Sequence, residues 1–307
     1  MASKPVVLQI RPRGKPIKSL PESLELAPNA TVTDLYSELA RRTNYSIHRL
    51  RLTKGSDGTV LSNNKDTSIH STGLRDQSTV YVKDLGPQVA WRTVFLVEYL
   101  GPLLIHPLVF SLRPYLYPSA AKDASQIQTL LCWLVCLHFV KRELETLFVH
   151  RFSAATMPLR NIFKNSFHYW ILSGVMVAAF IYSPSSASAR EANPLLLYPG
   201  LVLFALGEIG NLQTHLTLRG LRSSGSAERG IPQGPLFRLV TCPNYLTETI
   251  SWIGVYLISG LSWSVLIFLL VSVAQMAQWA KKKERRYRQD FGDKYKRKRY
   301  TMLPGIW

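Results

Sequence analysis

Long apolar runs fill most of the chain after residue 93, whereas residues 1–92 are polar and rich in turn-forming residues. The runs cover 94–112, 129–140, 168–183, 194–213 and 249–280. We take each of the first four as one membrane crossing. The last run is too long for a single crossing of a hydrocarbon core about 30 Å thick, and we predict a helical hairpin that turns near Ser259 and Gly260. The pattern predicts an α-helical integral membrane bundle with six to seven transmembrane helices.

The N-terminal part of the chain shows the two-residue period of half-buried strands. Apolar residues alternate at Val6, Leu8 and Ile10, at Leu24 and Leu26, at Leu50 and Leu52, and at Val80 and Val82. Between them, one helical face in 32–40 follows Thr31, a suitable N-cap with Asp34 three residues later. This order of elements resembles the ubiquitin-like β-grasp fold. We expect 1–86 to form such a domain in the cytosol and 87–307 to form the transmembrane domain with its basic tail.

The chain is strongly basic, with 37 Lys and Arg against 19 Asp and Glu and a net charge of +18. Such a balance can indicate nucleic-acid binding, but the positions of the charges favour a membrane explanation. The start, MASKPVVLQIRPRGK, has no apolar stretch of signal-peptide length, so we expect residues 1–93 in the cytosol. The cytosolic loops and tail then carry twenty Lys and Arg and the lumenal loops three, as the positive-inside rule requires. We predict a multi-pass protein with both termini in the cytosol, in contact with lipid and not with nucleic acid.

A polar stripe marks the end of the fourth apolar run. Asn211, His215, Arg219 and Arg222 stand at helical offsets that place them within about 80° of one another. An amide, an imidazole and two guanidiniums suit a nucleotide, although arginines at a helix end can also reach toward lipid headgroups. No glycine-rich dinucleotide or phosphate motif is present, so a nucleotide would need a pocket in the bundle. His215 has no second His or Cys at ligand spacing nearby, and we expect no metal site.

The segment TCPNYLTE at 241–248 opens the last apolar run. Pro243 suits the first turn of a helix, and Tyr245 and Glu248 are three residues apart, which places them on one helical face. A phenol here could donate a proton, because it stays protonated at neutral pH, or it could belong to the aromatic belt of the membrane interface. Glu248, like Glu98 in the first run, is an ionisable group in a membrane segment. Such groups are functional candidates, although either could be a structural partner instead.

Several segments together resemble one family. They are HRFSAATMPLRNIFKN at 150–165, GNLQTHLTLRGLRSSG at 210–225, FRLVTCPNYLTETISWIG at 237–254 and the tail from Trp279. They are similar to the very-long-chain trans-2-enoyl-CoA reductases of the endoplasmic reticulum, which belong to the steroid 5-alpha-reductase family and carry a ubiquitin-like domain. The resemblance covers nearly the whole chain. It implies the last, reductive step of fatty-acyl elongation, with NADPH as cofactor, a trans-2-enoyl-CoA as substrate and other elongase components as partners.

The resemblance also implies roles for individual residues. It makes Tyr245 the catalytic tyrosine and matches Glu248 to the glutamate that follows the asparagine motif. Glu98 is a further catalytic candidate only as an ionisable group in a membrane segment. The NADPH contacts that the resemblance implies, together with the polar stripe, are Asn211, His215, Arg219, Arg222, Asn244, Tyr287 and Arg299. Looser candidates for CoA or cofactor phosphates are Lys141, Arg151 and Lys164. The chain departs from the family at His215, where the steroid enzymes have an acidic residue, and at Glu284, where the animal enoyl reductases have histidine.

Three other functions stay open at this point. A reductase of the same family could act on a steroid or a polyprenol, although the steroid enzymes tend to have phenylalanine at the position of Tyr245. The tail KKERRYRQDFGDKYKRK also resembles membrane methyltransferases that use S-adenosylmethionine, but those enzymes carry Arg-His-Pro-x-Tyr where this chain has Thr-Cys-Pro-Asn-Tyr at 241–245. A non-catalytic scaffold of the elongation complex would bind no cofactor.

Overall fold

The computed structural model describes residues 4–117, 123–152, 155–221, 230–296 and 300–306. These residues form two compact units. The first unit consists of the chain through Trp91 together with residues 155–161, and the second contains the described residues of 92–152 and those from Ile162 onwards. The first unit is built around a sheet, and the second is helical.

The first unit contains a five-stranded sheet and one long helix. Its elements are β1 (Val6–Pro12), β2 (Ser23–Leu26), α1 (Val32–Thr43), β3 (Leu50–Lys54), β4 (Val60–Leu61) and β5 (Thr79–Asp84). The strand order is β2-β1-β5-β3-β4, with β1 parallel to β5 and every other pair antiparallel. The alternating apolar residues form the core, and Leu8, Leu52 and Val80 are fully buried. The strands predicted from the two-residue period are therefore confirmed.

Helix α1 begins as its sequence predicts. The Thr31 hydroxyl accepts a hydrogen bond from the Asp34 amide at 3.2 Å, and the Asp34 carboxylate accepts one from the Thr31 amide at 2.8 Å. This reciprocal capping box satisfies amide groups that a helix start otherwise leaves unpaired. Leu35 and Leu39, on the predicted apolar face, are fully buried. The predicted N-cap and the inward face of this helix are both confirmed.

A second, two-stranded sheet extends the first unit beyond residue 86, where we expected the domain to end. Strand β6 (Gln88–Ala90) pairs antiparallel with β7 (Thr156–Pro158), which returns from much later in the chain. Each strand has only three residues, too few to show a two-residue period. The first unit therefore continues to Trp91 and includes residues 155–161.

The second unit is a set of helices. In chain order they are α2 (Trp91–Ser111), α3 (Arg113–Leu116), α4 (Gln126–Leu144), α5 (Arg160–Ser166), α6 (Val177–Ile181), α7 (Pro194–Gly220), α8 (Pro235–Leu239), α9 (Pro243–Ile258) and α10 (Trp263–Phe291). A π-helical segment, Glu145–Val149, continues α4, and another, Phe167–Met176, joins α5 to α6. All five predicted apolar runs are thus helical over most of their length.

Three helices among the described residues are long and apolar enough to cross a membrane. They are α2, α7 and α10, the last continuing through a short turn to Lys294. Helix α9 is as apolar as these but has only 16 residues. The chain is therefore a mainly helical membrane protein. The number of crossings, six to seven from the apolar runs, stays a prediction.

Helices α9 and α10 form the predicted hairpin. Helix α9 ends at Ile258 and α10 begins at Trp263, and the turn between them contains Gly260 at φ +68° and Leu261 at φ +64°. Glycine adopts this left-handed conformation without the steric cost that a Cβ brings. The break predicted near Ser259 and Gly260 is confirmed, and it returns the chain along α9.

Helices α7 and α9 pack very closely along their length. A Cβ added at Gly254 on α9 would lie 2.6 Å from the Gly200 carbonyl oxygen and 2.6 Å from the Phe204 amide nitrogen of α7. Only glycine allows backbones to approach this far, as at small-residue contacts between membrane helices. The packing continues along both helices to the part of α7 that carries Asn211 and to the start of α9.

Candidate active site

Asn211 on α7 connects to two positions in the first turns of α9. Its side-chain nitrogen donates to the Asn244 carbonyl oxygen at 2.9 Å and to Glu248 Oε2 at 3.2 Å. Asn211 is only 1% exposed. Pro243 occupies the first turn of α9, as predicted. The structure therefore brings together three residues that were selected from two separate segments of the sequence.

Helix α4 adds charged partners to these residues. His138 lies between two carboxylates, with Nδ1 2.8 Å from Glu208 Oε1 and Nε2 3.2 Å from Glu248 Oε1. Lys141 Nζ lies 2.9 Å from Glu208 Oε2 and donates to the Asn211 amide oxygen at 2.9 Å. Helices α4, α7 and α9 thus meet at one network of ion pairs and hydrogen bonds.

Arg142 and Glu145 extend this network toward α2. Arg142 Nη1 lies 2.6 Å from Glu145 Oε2, and its Nη2 donates to the Tyr99 hydroxyl at 2.8 Å. Glu145 is 1% exposed and Tyr99 is 2% exposed. Six ionisable side chains form what we call the buried charge cluster: His138, Lys141, Arg142, Glu145, Glu208 and Glu248. Paired charges of this kind are expensive to bury, so each depends on its neighbours.

His215 faces the buried charge cluster. Its Nδ1 lies 3.0 Å from Glu145 Oε2 and 3.5 Å from His150 Nε2, and the ligand-type atoms of these three residues are all within 4.8 Å of one another. Arg142 Nη1, however, lies 2.6 Å from the same Glu145 oxygen and 3.3 Å from His215 Nδ1. Because a guanidinium already pairs with that carboxylate, the arrangement opposes a metal cation. Burial, with Arg142 as a further cause, lowers the pKa of His150 to about 3.

Tyr245 and Glu248, both on α9, have different neighbours. It packs beside Cys242, Met276 and Met302, and its ring centroid is 6.3 Å from that of Trp279 on α10. Three residues along a helix correspond to a rotation of about 60° between side chains. That angle is enough for Tyr245 to contact α10 while Glu248 contacts α4 and α7. The two side chains are thus close in direction on α9, as their spacing predicts, but contact different helices.

The C-terminal tail is fixed beside the segment that leads into α9. The Cys242 amide donates to the Thr301 carbonyl oxygen at 2.9 Å, and Val240 forms a bridge with Tyr300. Next to this contact, the buried Glu284 carboxylate accepts one hydrogen bond from the Tyr295 hydroxyl at 2.7 Å and another from the hydroxyl of Thr241, the residue before Cys242. The tail therefore lies next to the segment that contains Tyr245.

Tyr287 occupies the same region on α10. Its ring centroid is 5.3 Å from that of Tyr295, and Lys283 Nζ lies 5.7 Å from the centre of the Tyr287 ring. Tyr287 is 5% exposed. The structure thus places the predicted cofactor contact Tyr287 against the tail, with a lysine side chain beside it.

Several buried side-chain oxygen atoms in this region have no hydrogen-bond partner among the described residues. They include Asn244 Oδ1, Glu98 Oε2, Glu284 Oε1 and Thr301 Oγ1. Leaving a buried acceptor unsatisfied costs about 1–3 kcal/mol. An amide oxygen directly before Tyr245, held in place through its own backbone by Asn211, is therefore suited to accept a hydrogen bond from a ligand.

Comparison with known proteins finds relatives that match most of the chain. The sequence profile of the 3-oxo-5-alpha-steroid 4-dehydrogenase family matches residues 155–307. An enoyl reductase of Schizosaccharomyces pombe is 45% identical over 295 residues, which cover 95% of this chain and 97% of that protein. The very-long-chain enoyl-CoA reductase of Dictyostelium discoideum is 41% identical over 290 residues, 92% of this chain and 94% of that protein. The trans-2,3-enoyl-CoA reductase-like protein of Homo sapiens is 34% identical over 251 residues, 78% and 67% of the two chains.

The chain belongs to the enoyl-CoA reductase family. The profile that matches its second half describes a family of oxidoreductases, and the matches to enoyl reductases extend across the first half as well. The resemblance identified from the segments at 150–165, 210–225 and 237–254 is thereby confirmed.

Glu98 is the catalytic candidate that was predicted from the first apolar run of this enoyl-CoA reductase family member. It is 1% exposed, and the Asn165 and Tyr99 side chains lie within hydrogen-bond reach of its carboxyl group. Arg142 donates to the same Tyr99 hydroxyl. A guanidinium, a phenol and a carboxyl group therefore follow one another from α4 to α2, with one Glu98 oxygen left unpartnered.

The remaining predicted site residues have different positions. We expected Lys141 to contact CoA or cofactor phosphates. It is instead part of the buried charge cluster and pairs with Glu208, so it is not placed to bind phosphate. Arg219, Arg151 and Lys164 are exposed. The His215 side chain points inward and contacts Glu145. Arg219, one helical turn later, is exposed. The residues of the predicted polar stripe therefore do not share one environment. Arg222 and Arg299 lie outside the described residues.

His138, Arg142, Glu145 and Glu208 were not among the residues predicted from the sequence, although a signal for them exists. His138, Lys141, Arg142 and Glu145 stand at offsets 0, 3, 4 and 7, which is the spacing of one helical face. Glu208 stands three residues before Asn211 and continues the polar stripe inward. A carboxylate in an apolar run is a functional candidate, and applying that rule to Glu208 as well as to Glu98 and Glu248 would have found it.

Proposed function

We propose that the protein reduces the 2,3 double bond of a trans-2-enoyl-CoA with NADPH, the last step of the very-long-chain fatty acid elongation cycle. One hydride is added to the β-carbon and one proton to the α-carbon, which gives the saturated acyl-CoA and NADP⁺. The substrate class is supported by relatives that are named very-long-chain enoyl-CoA reductases and match over most of the chain. The observation that most directly supports the site is the buried Asn244 amide oxygen next to Tyr245, which has no hydrogen-bond partner among the described residues.

The residues around the start of α9 fit a nicotinamide cofactor, which supplies the hydride when it is bound. Asn244 Oδ1 is suited to accept a hydrogen bond from a carboxamide. Asn211 holds the Asn244 backbone from α7 and so fixes this acceptor. Tyr287 on α10 offers a buried ring with Lys283 beside it. We assign the binding of the cofactor phosphates to Arg219, Arg222 and Arg299, because a guanidinium group can form bidentate hydrogen bonds with a phosphate.

Tyr245 is the proton donor in this proposal. Hydride addition at the β-carbon moves negative charge onto the α-carbon and the thioester oxygen, and a donor that acts where charge develops lowers the barrier. A phenol is protonated at neutral pH and can deliver its proton to that charge. Tyr245 is adjacent to Asn244 and packs against α10 near Trp279. It therefore lies on the same helical turn as the proposed cofactor contact.

Glu248 has a supporting role in the proposal and Glu98 an accessory one. Both Glu248 oxygens are committed, one to His138 and one to Asn211, so Glu248 orients the site and does not transfer the proton. One Glu98 oxygen has no hydrogen-bond partner in the described part of the chain, and Glu98 is the next candidate for the proton donor. The exposed Arg151 and Lys164 are the candidates for contact with CoA phosphates.

We further propose that the protein resides in the endoplasmic reticulum membrane with both termini in the cytosol, among other elongase components. The excess of Lys and Arg in the presumed cytosolic loops supports this orientation. We also interpret the first unit as a ubiquitin-like β-grasp domain. Its sheet order β2-β1-β5-β3-β4, with parallel central strands and one packed helix, supports that interpretation.

The test is the oxidation of NADPH by purified protein with trans-2-hexadecenoyl-CoA, compared between wild type and Tyr245→Phe, with the NADPH dissociation constant measured separately. We expect turnover in the wild type and its collapse in Tyr245→Phe with nearly unchanged cofactor affinity. Tyr198→Phe is the control, because Tyr198 on α7 is 65% exposed.

Each other outcome of this test has a defined meaning. Activity that survives Tyr245→Phe would move the proton donor to Glu98. A folded wild type that oxidises NADPH only with a 3-oxo-4-ene steroid or a polyprenal would contradict the proposed substrate. A wild type that binds S-adenosylmethionine and not NADPH would contradict the reductase proposal altogether.

A further inference from the structure

We propose that His138 is a positively charged positioning residue of the cofactor site, an imidazolium that holds Glu248 and, through it, Asn211 and Asn244. The kinetic part of this inference rests on the proposed function. The ion-pair geometry on which it is built does not, because it is a property of the folded protein alone.

The His138 ring is held from every side. Its two nitrogens contact two different carboxylates, Glu208 at 2.8 Å and Glu248 at 3.2 Å. Its faces and edges pack against Phe139 and Trp252, at centroid distances of 4.9 Å and 5.4 Å and nearly perpendicular to both rings. His138 is 2% exposed. The ring therefore has one orientation, with each nitrogen directed at an acidic oxygen.

Hydrogen-bond chemistry assigns the charge of this ring. An ionised carboxylate only accepts hydrogen bonds, and a neutral imidazole has a single N–H to donate. Both contacts of His138 are satisfied together when both nitrogens carry a proton, which is the imidazolium form. A neutral ring would place a lone pair against one of the two carboxylates.

The charge balance of the buried charge cluster leads to the same assignment. Three of its members are acidic: Glu145, Glu208 and Glu248. Two members, Lys141 and Arg142, pair as cations with Glu208 and Glu145, so the cluster has one negative charge in excess unless His138 is positive. Uncompensated charge is costly inside a membrane protein. With His138 as the third cation, the six side chains sum to zero.

A short chain of contacts connects His138 to the proposed cofactor acceptor. His138 binds Glu248 Oε1, the other Glu248 oxygen accepts from Asn211 Nδ2, and the same nitrogen donates to the Asn244 carbonyl. Removing the charge on His138 releases Glu248, and Asn211 then loses one of the three partners that orient its amide group. His138 therefore acts on Asn244 through two intervening residues and does not itself contact the ligand.

A charge-compensation experiment tests this role. The variants are His138→Gln, Glu208→Gln and the double variant, and the readouts are the NADPH dissociation constant, kcat and the thermal unfolding midpoint. We expect His138→Gln to weaken NADPH binding roughly tenfold to a hundredfold, with a smaller effect on kcat, because displaced positioning groups have effects of this size. The double variant, which removes one carboxylate together with the cation, should recover most of the loss.

The matched control is His106→Gln. His106 is equally buried, at 0% exposure, but its nitrogens contact the Tyr182 hydroxyl at 2.8 Å and the Ser173 carbonyl oxygen at 3.0 Å, neither of which is charged. We expect His106→Gln to leave the NADPH dissociation constant unchanged, and adding Glu208→Gln to it should recover nothing.

The outcomes separate this inference from the proposed function. A double variant no better than His138→Gln alone, in both NADPH binding and unfolding midpoint, would overturn the charged role. A loss in His106→Gln equal to that in His138→Gln would show a general packing effect and overturn it as well. If the wild type fails to reduce enoyl-CoA, the proposed function fails, whereas recovery of the unfolding midpoint in the double variant would still support the imidazolium.

Discussion

Arg142 on α4 donates a hydrogen bond from Nη2 to the hydroxyl oxygen of Tyr99 on α2, at 2.8 Å. The same guanidinium pairs with Glu145, and the Tyr99 ring meets Tyr169 edge-on at a centroid distance of 5.1 Å. One arginine thus connects the buried charge cluster to a helix that contributes no member to it. This contact extends the network of ion pairs and hydrogen bonds from α4, α7 and α9 to a fourth helix, α2.

Tyr99→Phe should destabilise the protein by about 1–3 kcal/mol, because it leaves a buried guanidinium N–H without its partner. NADPH affinity should change little, since Tyr99 has no contact with Asn211 or Asn244. The measurement is the thermal unfolding midpoint in detergent together with the NADPH dissociation constant. Tyr198→Phe, at an exposed position on α7, is the control and should match the wild type. Equal midpoints for Tyr99→Phe and the control would contradict the prediction.

Asn211→Asp should weaken NADPH binding by about tenfold or more. The carboxylate keeps the size of the amide and the contact with Lys141, but it cannot donate to the Asn244 carbonyl, and it faces Glu248 where the amide nitrogen was 3.2 Å away. The loss of hydrogen bonds to a buried group costs about 1–3 kcal/mol, and 1.4 kcal/mol corresponds to a factor of ten in affinity.

The control for Asn211→Asp is Asn193→Asp. The Asn193 side chain accepts a hydrogen bond from the Leu195 amide at the start of α7, and aspartate caps a helix start as well as asparagine does. NADPH titration followed by fluorescence is the measurement. Unchanged binding in Asn211→Asp would remove Asn211 from the cofactor site.

The sequence was a good guide to the elements because their signals are local. The alternation at Val6, Leu8 and Ile10 reports the buried face of one strand, and the turn at Gly260 follows from the length of a single apolar run. Strand β7 gave no such signal. Its three residues pair with β6 across about seventy positions, and a two-residue period cannot be recognised over so short a stretch.

The candidate site could be predicted only in part, for a related reason. Asn211, Asn244 and Glu248 stand out because polar groups are rare in apolar runs. Their partners are on other helices: His138 and Glu208 are 70 positions apart, and Arg142 and Tyr99 are 43 apart. The period of one helix shows which residues share a face and not which helix that face meets. For the same reason, the spacing of Tyr245 and Glu248 could not show that Tyr245 would contact α10 while Glu248 would contact α4 and α7.

The protein should lose stability as the pH falls from about 6.5 toward 3, in part because of His150. Burial lowers the pKa of His150 to about 3 in the folded protein, with Arg142 and His215 as further causes and Glu145 opposing them. In an unfolded chain the pKa of a histidine is about 6.5. Over this range the unfolded chain binds a proton that the folded protein does not bind, so acid favours unfolding. Above about pH 6.5 both states are neutral at this residue, and its contribution is constant.

His150→Gln should reduce this acid sensitivity. The measurement is the unfolding midpoint at about pH 7.5 and about pH 5 for wild type and variant, and the difference between the two pH values should be smaller in the variant. Glu145, Lys141, Arg142 and His215 face His150 in both proteins, so their own contribution cancels in the comparison. An identical pH difference in the two proteins would mean that His150 is protonated in the folded state.

Gly254→Ala should both destabilise the protein and weaken NADPH binding. The new Cβ would lie 2.6 Å from two backbone atoms of α7, the Gly200 carbonyl oxygen and the Phe204 amide nitrogen, and backbone atoms of a packed helix cannot move aside without moving the helix. Overpacking of this kind costs about 1–3 kcal/mol. It also separates α7 from α9 and lengthens the Asn211 contact with Asn244.

Gly220→Ala is the matched control for Gly254→Ala. Gly220 ends α7, the helix that packs against α9, with nothing within 4 Å of its added Cβ, and alanine favours helix more than glycine does. Its unfolding midpoint should therefore equal or exceed that of the wild type, and its NADPH affinity should be unchanged. If Gly254→Ala lowers the midpoint but leaves NADPH binding intact, the close packing of α7 and α9 serves stability alone, and the cofactor site does not depend on it.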